Sequence, residues 1–267
     1  MSRQTVTEVW QTLQEEAQSL ITGEPLLSSF FHTTITSHPT LRSALSYLLA
    51  EKLADDVVPA VAMREIFEVA YEADPGLIEA ACADLLAVFA RDAAANNVST
   101  VLLYFKGFHA LQSYRVANHM WSTGRQSLAS YLQSRISSTL QVDIHPAATI
   151  GKGVMFDHAT GIVVGETCVI EDEVSILQSV TLGGTGKESG DRHPKIRAGV
   201  LIGAGAKILG NIEVGKGAKV GANSVVLDPV EPHTTVAGVP AKVVGCAISD
   251  KPALDMDQGL TPTNESE

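Results

Sequence analysis

Long apolar runs are missing from this 267-residue sequence. With no stretch of about eighteen consecutive apolar residues, no membrane-spanning helix is expected. The opening ten residues, Met1 to Trp10, are polar and hold no apolar signal core. Cysteine is scarce: Cys82, Cys168 and Cys246 stand far apart, without a CxxC pair, and their odd number leaves no complete disulfide framework. Three reduced thiols and no leader point to a cytoplasmic protein. Cations are in the minority, 19 Lys and Arg against 30 Asp and Glu, for a net charge of −11. General nucleic-acid binding or attachment to an anionic membrane needs clustered cations, so both are disfavoured. An anionic ligand would have to find local lysines and arginines. Charged residues make up 18% of the chain and hydrophobic ones 45%, which excludes a highly charged disordered polymer and leaves room for a core.

What is present is a six-residue beat of apolar residues in the C-terminal half. It runs Ile144, Ile150, Phe156, Ile162, slips by two, and resumes at Val164, Ile170, Ile176, Leu182. After a longer break it returns at Ile196, Ile202, Ile208, Val214, Val220, Val226. A fixed short period of this kind predicts a β-solenoid, in which each repeat buries its apolar face against its neighbours. Small or β-branched residues two positions earlier, such as Ala148, Val154, Val174 and Ala206, suit a narrow core. An ordinary β-sandwich would alternate with period two and turn at irregular intervals.

The first half follows a different rule. Leu41, Leu45, Leu48, Leu49 and Leu53 recur at helical spacing, as do Met63, Ile66, Phe67 and Ala70. Asp74-Pro75 reads as the opening of another helix, and Leu103–Trp121 and Leu128–Leu140 read as two more. The boundary falls near residue 141. The expected organisation is a helical oligomerisation domain over 1–141, a solenoid over 142–247 and a flexible polar tail over 248–267. A helical block on a solenoid suggests an assembly device, although helices that merely cap the open end of a monomer give the same pattern.

The breaks in the beat are where chemistry can sit. Residues between Leu182 and Ile196 cannot fit within a coil and should be extruded as a loop carrying Asp191, Arg192 and His193. Gly186-Lys187 lacks the first glycine and the Ser or Thr of a nucleotide-triphosphate loop. Arg192 could clamp a small carboxylate, or be a solvated loop charge. His158 follows Asp157, and Asp143 precedes it by fifteen residues, slightly under a turn of three hexapeptides, so the two should lie on neighbouring coils. A histidine steadied by a carboxylate is a natural general base; a surface histidine at a corner is the plain alternative. Lys219 and Lys242 could meet the phosphates of an anionic cofactor. His145, His158, His193 and His233 could in principle ligate zinc, but the His-x4-His spacing of zinc-bearing β-helix enzymes is absent, and no metal is expected.

Longer motifs add a resemblance. Asp143-Ile144-His145-Pro146-Ala147-Ala148, Phe156-Asp157-His158-Ala159-Thr160-Gly161, Val180-Thr181-Leu182-Gly183-Gly184-Thr185-Gly186-Lys187, Asp191-Arg192-His193-Pro194-Lys195 and the closing Gly238-Val239-Pro240-Ala241-Lys242 resemble the serine O-acetyltransferases. These are left-handed β-helix acyltransferases built on hexapeptide repeats. The helical half is similar too, through Ala44–Ala50 and Lys106-Gly107-Phe108-His109-Ala110. The resemblance implies an α+β protein, an all-α domain followed by a left-handed parallel β-helix. It implies acetyl transfer from acetyl-CoA to L-serine, the first step from serine to cysteine, with L-cysteine as feedback inhibitor. His158 would be the base and Asp143 its orienting carboxylate. Asp157, Arg192 and His193 would hold the amino acid, with Asp92 reaching in from a neighbouring subunit. CoA would lie against Gly184, Thr185, Ala204, Lys219, Ala222 and Lys242. The assembly implied is a homo-hexamer, a dimer of trimers. Family members that dock on O-acetylserine sulfhydrylase end in isoleucine; this sequence ends in Glu267, so tight docking is not expected. A sugar acetyltransferase would share the scaffold and the histidine. A non-catalytic scaffold would share the solenoid but have no use for the loop.

Overall fold

The computed structural model describes residues 5–186 and 189–260. Among them, eight α-helices precede the first strand. They are α1 (Val6–Gly23), α2 (Ser28–Phe31), α3 (Leu41–Leu53), α4 (Ala60–Ala73), α5 (Gly76–Arg91), α6 (Val98–Tyr104), α7 (Lys106–Ser122) and α8 (Gln126–Leu140). Local sequence explains the starts. At α1, Thr5 Oγ1 accepts the Glu8 N–H while the Glu8 carboxylate accepts the Thr5 N–H, a reciprocal cap. Thr40 and Asn97 cap α3 and α6 in the simpler way. The leucine spacing read for α3 is the buried stripe, with Leu41, Leu45, Leu48, Leu49 and Leu53 all buried. The helix expected over Leu103–Trp121 is interrupted: α6 stops at Tyr104 and α7 starts at Lys106.

Fifteen short strands follow: β1 (Val142–Ile144), β2 (Thr149–Ile150), β3 (Met155–Asp157), β4 (Ile162–Val164), β5 (Val169–Ile170), β6 (Ser175–Leu177), β7 (Thr181–Gly183), β8 (Lys195–Ile196), β9 (Leu201–Ile202), β10 (Lys207–Leu209), β11 (Glu213–Val214), β12 (Lys219–Val220), β13 (Val225–Val226), β14 (Thr234–Gly238) and β15 (Ala241–Cys246). They sort into three sheets. The first face is β1-β4-β7-β10-β13, the second β2-β5-β8-β11, and the third β3-β6-β9-β12-β14-β15. Every pairing is parallel except β14 with β15. The chain visits the faces in rotation, so it winds as a three-sided solenoid whose axis is filled by the beat residues.

Register shows what the breaks in the beat are. Val164 lies against Leu182 and Ile208 against Val226, eighteen residues apart, three hexapeptides per turn. Ile144, however, lies against Val164, twenty residues on. The two extra residues fall between Phe156 and Val164, at the corner that carries His158. Leu182 lies against Ile208, twenty-six residues on. The eight extra residues there form the loop between β7 and β8, of which Lys187 and Glu188 lie outside the described residues.

An open solenoid end would leave strand-edge carbonyls without donors. Here α7 covers it. Tyr114 Oη donates to Ala148 O, Asn118 Nδ2 to Pro146 O and Ala148 O, and Arg115 to Ile150 O and Gly151 O. Arg115 also grips Asp84 of α5 at 2.7 Å, with both side chains buried. The second oxygen of Asp84 accepts the Val154 N–H at 3.0 Å, and Gln112 adds a further donor. One buried carboxylate thus ties two helices to the first coil.

The segment 248–267, expected to be flexible, is seated over its described part. Helix α9 (Pro252–Asp255) packs on the third face, with Ala253 buried. Ala253 N–H donates to Gly199 O, and Ser175 Oγ donates to Ala253 O. Apolar Ala253 lets the strand surface close over it, a contact that a polar composition does not announce. Residues 261–267, with Glu267, lie outside the described residues.

Removing one partner of a buried, hydrogen-bonded ion pair costs about 3–5 kcal/mol. Asp84→Ala is therefore expected to lower the unfolding free energy measured in urea by that amount, and the midpoint with it, while Asp84→Leu combined with Arg115→Met should lose less. A midpoint for Asp84→Ala equal to the parent's would show that this pair does not join the halves.

Candidate active site

The solenoid's corners sort the candidate residues into two groups. His158 stands between the third and first faces, in the corner 158–161. Ala204 and Ala222 belong to the same column of corners, on later coils. Arg192, His193, Gly184 and Thr185 stand between the first and second faces, in the long loop and its foot. The three-residue strands β4 and β7 lie between the two columns, each about 10 Å long at ~3.3 Å per residue.

At the first column, His158 projects outward, its side chain 73% exposed, with Nε2 3.8 Å from Asp157 Oδ1. Both His158 and Ala159 hold positive φ, +53° and +60°. The corner is therefore tight, with Thr160 N–H donating to His158 O at 2.8 Å. Asp157 is half-buried. Burial raises its pKa above the ordinary carboxylate range, and the nearby charge of Asp92 raises it further against the pull of His158. Asp92 caps the C-terminus of α5 and accepts the Ala94 N–H at 2.8 Å. Its neighbour Arg91 anchors it by donating to Ser175 Oγ at 3.1 Å. Burial lowers the pKa of that guanidinium to about 10, still well above neutrality. Asp92, expected from a neighbouring subunit, lies close enough to Asp157 within this chain for its charge to be felt there, because α5 ends against the second coil.

Asp143 lies on β1 and His158 in the corner leading into β4, the strand that pairs with β1. The two share one coil, not neighbouring coils as the count of fifteen suggested, because fifteen residues fall short of a full turn, which here takes twenty. Among the described residues no hydrogen bond or ion pair joins them. Asp143 Oδ1 accepts from Gln133 Nε2 of α8 at 2.8 Å. Gln133, with Ser130, Ser134, Ser137 and Ser138, lines a polar groove of about 380 Å³ beside Asp143. Sequence reading missed Gln133, since nothing in a helical repeat marks which polar residue faces a strand.

At the second column, Arg192 Nη2 is 2.7 Å from Glu166 Oε2, so its charge is already partnered. The guanidinium hydrogen bond holds Glu166 below its usual range. His193 is nearly buried, and its Nδ1 accepts from the Thr167 N–H at 3.2 Å, with Thr167 Oγ1 at 2.9 Å. Since a backbone N–H occupies Nδ1, the neutral ring carries its proton on Nε2. Burial, reinforced by Arg192, lowers its pKa. Gly165 makes room for this ring: a Cβ there would sit 2.1 Å from Nε2. Glu166 and Thr167 escaped sequence reading because they act from the coil before the loop.

The remaining cofactor candidates are dispersed. Lys219 lies on the third face, its Nζ donating to the carbonyls of Gly259 and Asp257, the latter at 3.2 Å. Lys242 lies exposed on β15. Among the described residues no cluster of metal ligands forms, and no helix is long and apolar enough to cross a membrane.

A family model described as serine acetyltransferase, N-terminal, matches residues 9–113, and one for the bacterial transferase hexapeptide (six repeats) matches 193–228. The serine acetyltransferase of Salmonella typhimurium is 64% identical over 250 residues, 94% of this chain and 92% of its own. That of Escherichia coli K12 is 61% identical over 266 residues, 100% and 97%. Among solved structures, a serine acetyltransferase in complex with cysteine superposes at TM-score 0.94, with 61% identity over 96% of this chain and 100% of that one. One in complex with CoA gives 0.87, 61%, 90% and 100%. The soybean enzyme complexed with serine gives 0.86, 53%, 88% and 97%. The solenoid is accordingly a left-handed parallel β-helix, as expected.

The raised pKa of Asp157 has a consequence for stability. Ionising it costs more in the folded chain than in the unfolded one, so its charge destabilises above the folded pKa. The cost is absent where both states are protonated. Asp92→Asn keeps the oxygen that accepts from Ala94 and removes one charge. Its Tm should exceed the parent's at pH 7, and the gain should vanish below about pH 4. A gain undiminished at pH 3 would assign it to something other than charge.

Proposed function

The chain belongs to the serine acetyltransferases, a family of CoA-dependent acyltransferases, and we propose on that footing that it carries the acetyl group of acetyl-CoA to the hydroxyl of L-serine, giving O-acetyl-L-serine and CoA. The observation that carries this reading is the exposed imidazole of His158, 3.8 Å from Asp157, at the corner where the repeat gains two residues. Relatives solved with serine, CoA and cysteine support the ligand set.

The serine hydroxyl is a poor nucleophile at neutral pH. His158 takes its proton as the oxygen attacks the thioester carbonyl. A positioned base of this kind typically contributes about 10²–10⁴-fold. The carbon–sulfur bond then breaks, and the imidazolium returns the proton to the leaving thiolate. Asp143 is assigned the orienting role. Its Oδ1 is held by Gln133, and Oδ2 has no hydrogen bond from the described residues, leaving it for the ring N–H. Asp92 and Asp157 place two carboxylates together beside the base, an arrangement that favours a cation, and the serine ammonium is that cation. Arg192 and His193 receive the serine carboxylate. Holding both substrates in one site supplies further acceleration.

The two columns of corners stand apart by a sheet face, and serine is far shorter than that. The base of one subunit and the Arg192–His193 loop of the next can share one serine only if solenoids pack side by side. We therefore assign a trimer through the solenoids, doubled into a hexamer by the helical domains. CoA lies in the groove between subunits, with Ala204 and Ala222 on one wall and Gly184 and Thr185 on the other. Lys219 becomes available to a phosphate only when the 257–259 carbonyls release it. L-Cysteine carries the same ammonium and carboxylate with a thiol in place of the hydroxyl, so it competes for the serine site. The reaction is then the first step from serine toward cysteine, in the cytoplasm.

A thiol-release assay with acetyl-CoA tests the reading. Release is expected with L-serine, not with galactosides, and should fall with added L-cysteine. His158→Ala should keep the assembly and lose turnover. Release with a galactoside in place of serine, or near-full activity of His158→Ala, would sink it.

A further inference from the structure

We propose that the first turn of α7, through Gly107 and Lys106, is the positioning element for His158. The proposal rests on His158 being the base and adds which part of the helical half sets its place.

Gly107 is buried against the corner that carries His158. A Cβ built on it would lie 2.0 Å from Phe156 O, 3.0 Å from Phe156 C and 3.1 Å from the Ala159 methyl. The obstructing atoms are backbone, two residues before His158, so they cannot swing away as a side-chain tip would. Glycine is required here for close approach rather than for its dihedral angles. On the far side of the same corner, Lys106 Nζ donates to Thr160 Oγ1. The two contacts bracket His158, one at Phe156 and one at Thr160. Between them the chain passes through two non-glycine residues at positive φ, and the Ala159 methyl is fully buried beneath them. Such conformations are strained and persist only where the surroundings impose them. Gly161 N–H to Gln141 O and Ser179 N–H to Thr160 O complete the frame. The frame therefore reaches from α7 and the end of α8 to the second coil, while the imidazole itself stays exposed.

Gly107→Ala must push residues 156–159 outward, and a misplacement of about 1 Å at a reacting group can cost about 10²-fold in rate. The proposal predicts a kcat fall of that order in thiol release, with the acetyl-CoA KM within about twofold of the parent. Gly215→Ala is the control. Its Cβ would meet Pro232 N at 2.5 Å, a comparable clash on a different corner, so it should lower Tm and leave kcat unchanged. A role confined to stability would make the two variants alike. Because Gly107 acts through His158, adding Gly107→Ala to His158→Ala should lower the residual turnover no further. A further 10²-fold loss in the double variant, or parental kcat in folded Gly107→Ala, overturns the proposal. Should Gly107→Ala not fold, Lys106→Met serves: it keeps the stem and removes the donor. A kcat loss of about tenfold, the weight of one hydrogen bond, is expected without a change in acetyl-CoA KM. Unchanged kcat, or a change confined to KM, overturns the proposal. Full activity of His158→Ala would instead refute the base, a different outcome from any of these.

Discussion

The register of one coil upon the next governs the rest of this molecule. Each strand is only two to six residues long and has no stability of its own. What holds it is its neighbours in the sheet, parallel in all pairs but β14 with β15, and the apolar side chain it points to the axis. The period must therefore be kept wherever the coil is to close. Any residues beyond three hexapeptides have to leave the wall at a corner, since a one-residue slip within a strand would turn its apolar residue outward. The scaffold is stiff for that reason, and its additions are confined to corners. Positions for chemistry arise where the period is broken, not where it is kept.

The same constraint explains the joint between the halves. A solenoid ends in a strand edge, and its first coil needs donors that no preceding coil supplies. Helix α7 provides them from Tyr114, Arg115 and Asn118, at the cost of burying polar side chains in a helix interior. Burying Arg115 requires a buried partner, and Asp84 is that partner. Asp84 in turn draws α5 onto the coil, and the end of α5 carries Asp92. The covering of an edge and the placing of a carboxylate near His158 are consequences of one packing arrangement.

How much of this could be read from residues alone follows from what leaves a periodic mark. The beat residues are the core, and its two interruptions, after Phe156 and after Leu182, are the two corners that hold His158 and Arg192. Helix α3 was legible for the same reason, through its leucine stripe. The split between α6 and α7 was not, because apolar residues continue through Phe105. Gln133, Glu166 and Thr167 act across elements and leave no spacing behind them. The seated 248–260 segment is held by scattered contacts, Ala253 on Gly199 and Ser175, Lys251 on Glu173 and Lys219 on the carbonyls of Asp257 and Gly259, inside a stretch that is polar in composition. The spacing puts Asp143 and His158 a coil apart only if fifteen residues are set against a regular eighteen-residue turn, and this turn takes twenty.

The two columns differ in how their charges are satisfied, and that difference separates the roles their residues can take. Arg192 is paired with Glu166 and Lys195 with Asp191, each within 2.7 Å, so these two cations have partners before any ligand arrives, and a carboxylate reaching Arg192 must share it with Glu166. The His158 corner is incomplete. Asp157 and Asp92 repel, Asp157 is half-buried, and the imidazole makes no hydrogen bond among the described residues, with Nε2 3.8 Å from Asp157 Oδ1. Two positive-φ residues add backbone strain at the same place. A cation entering between the carboxylates removes the repulsion. On the proposed reading that cation is the ammonium of serine, which would then relieve the repulsion of the carboxylates as well as anchor the substrate.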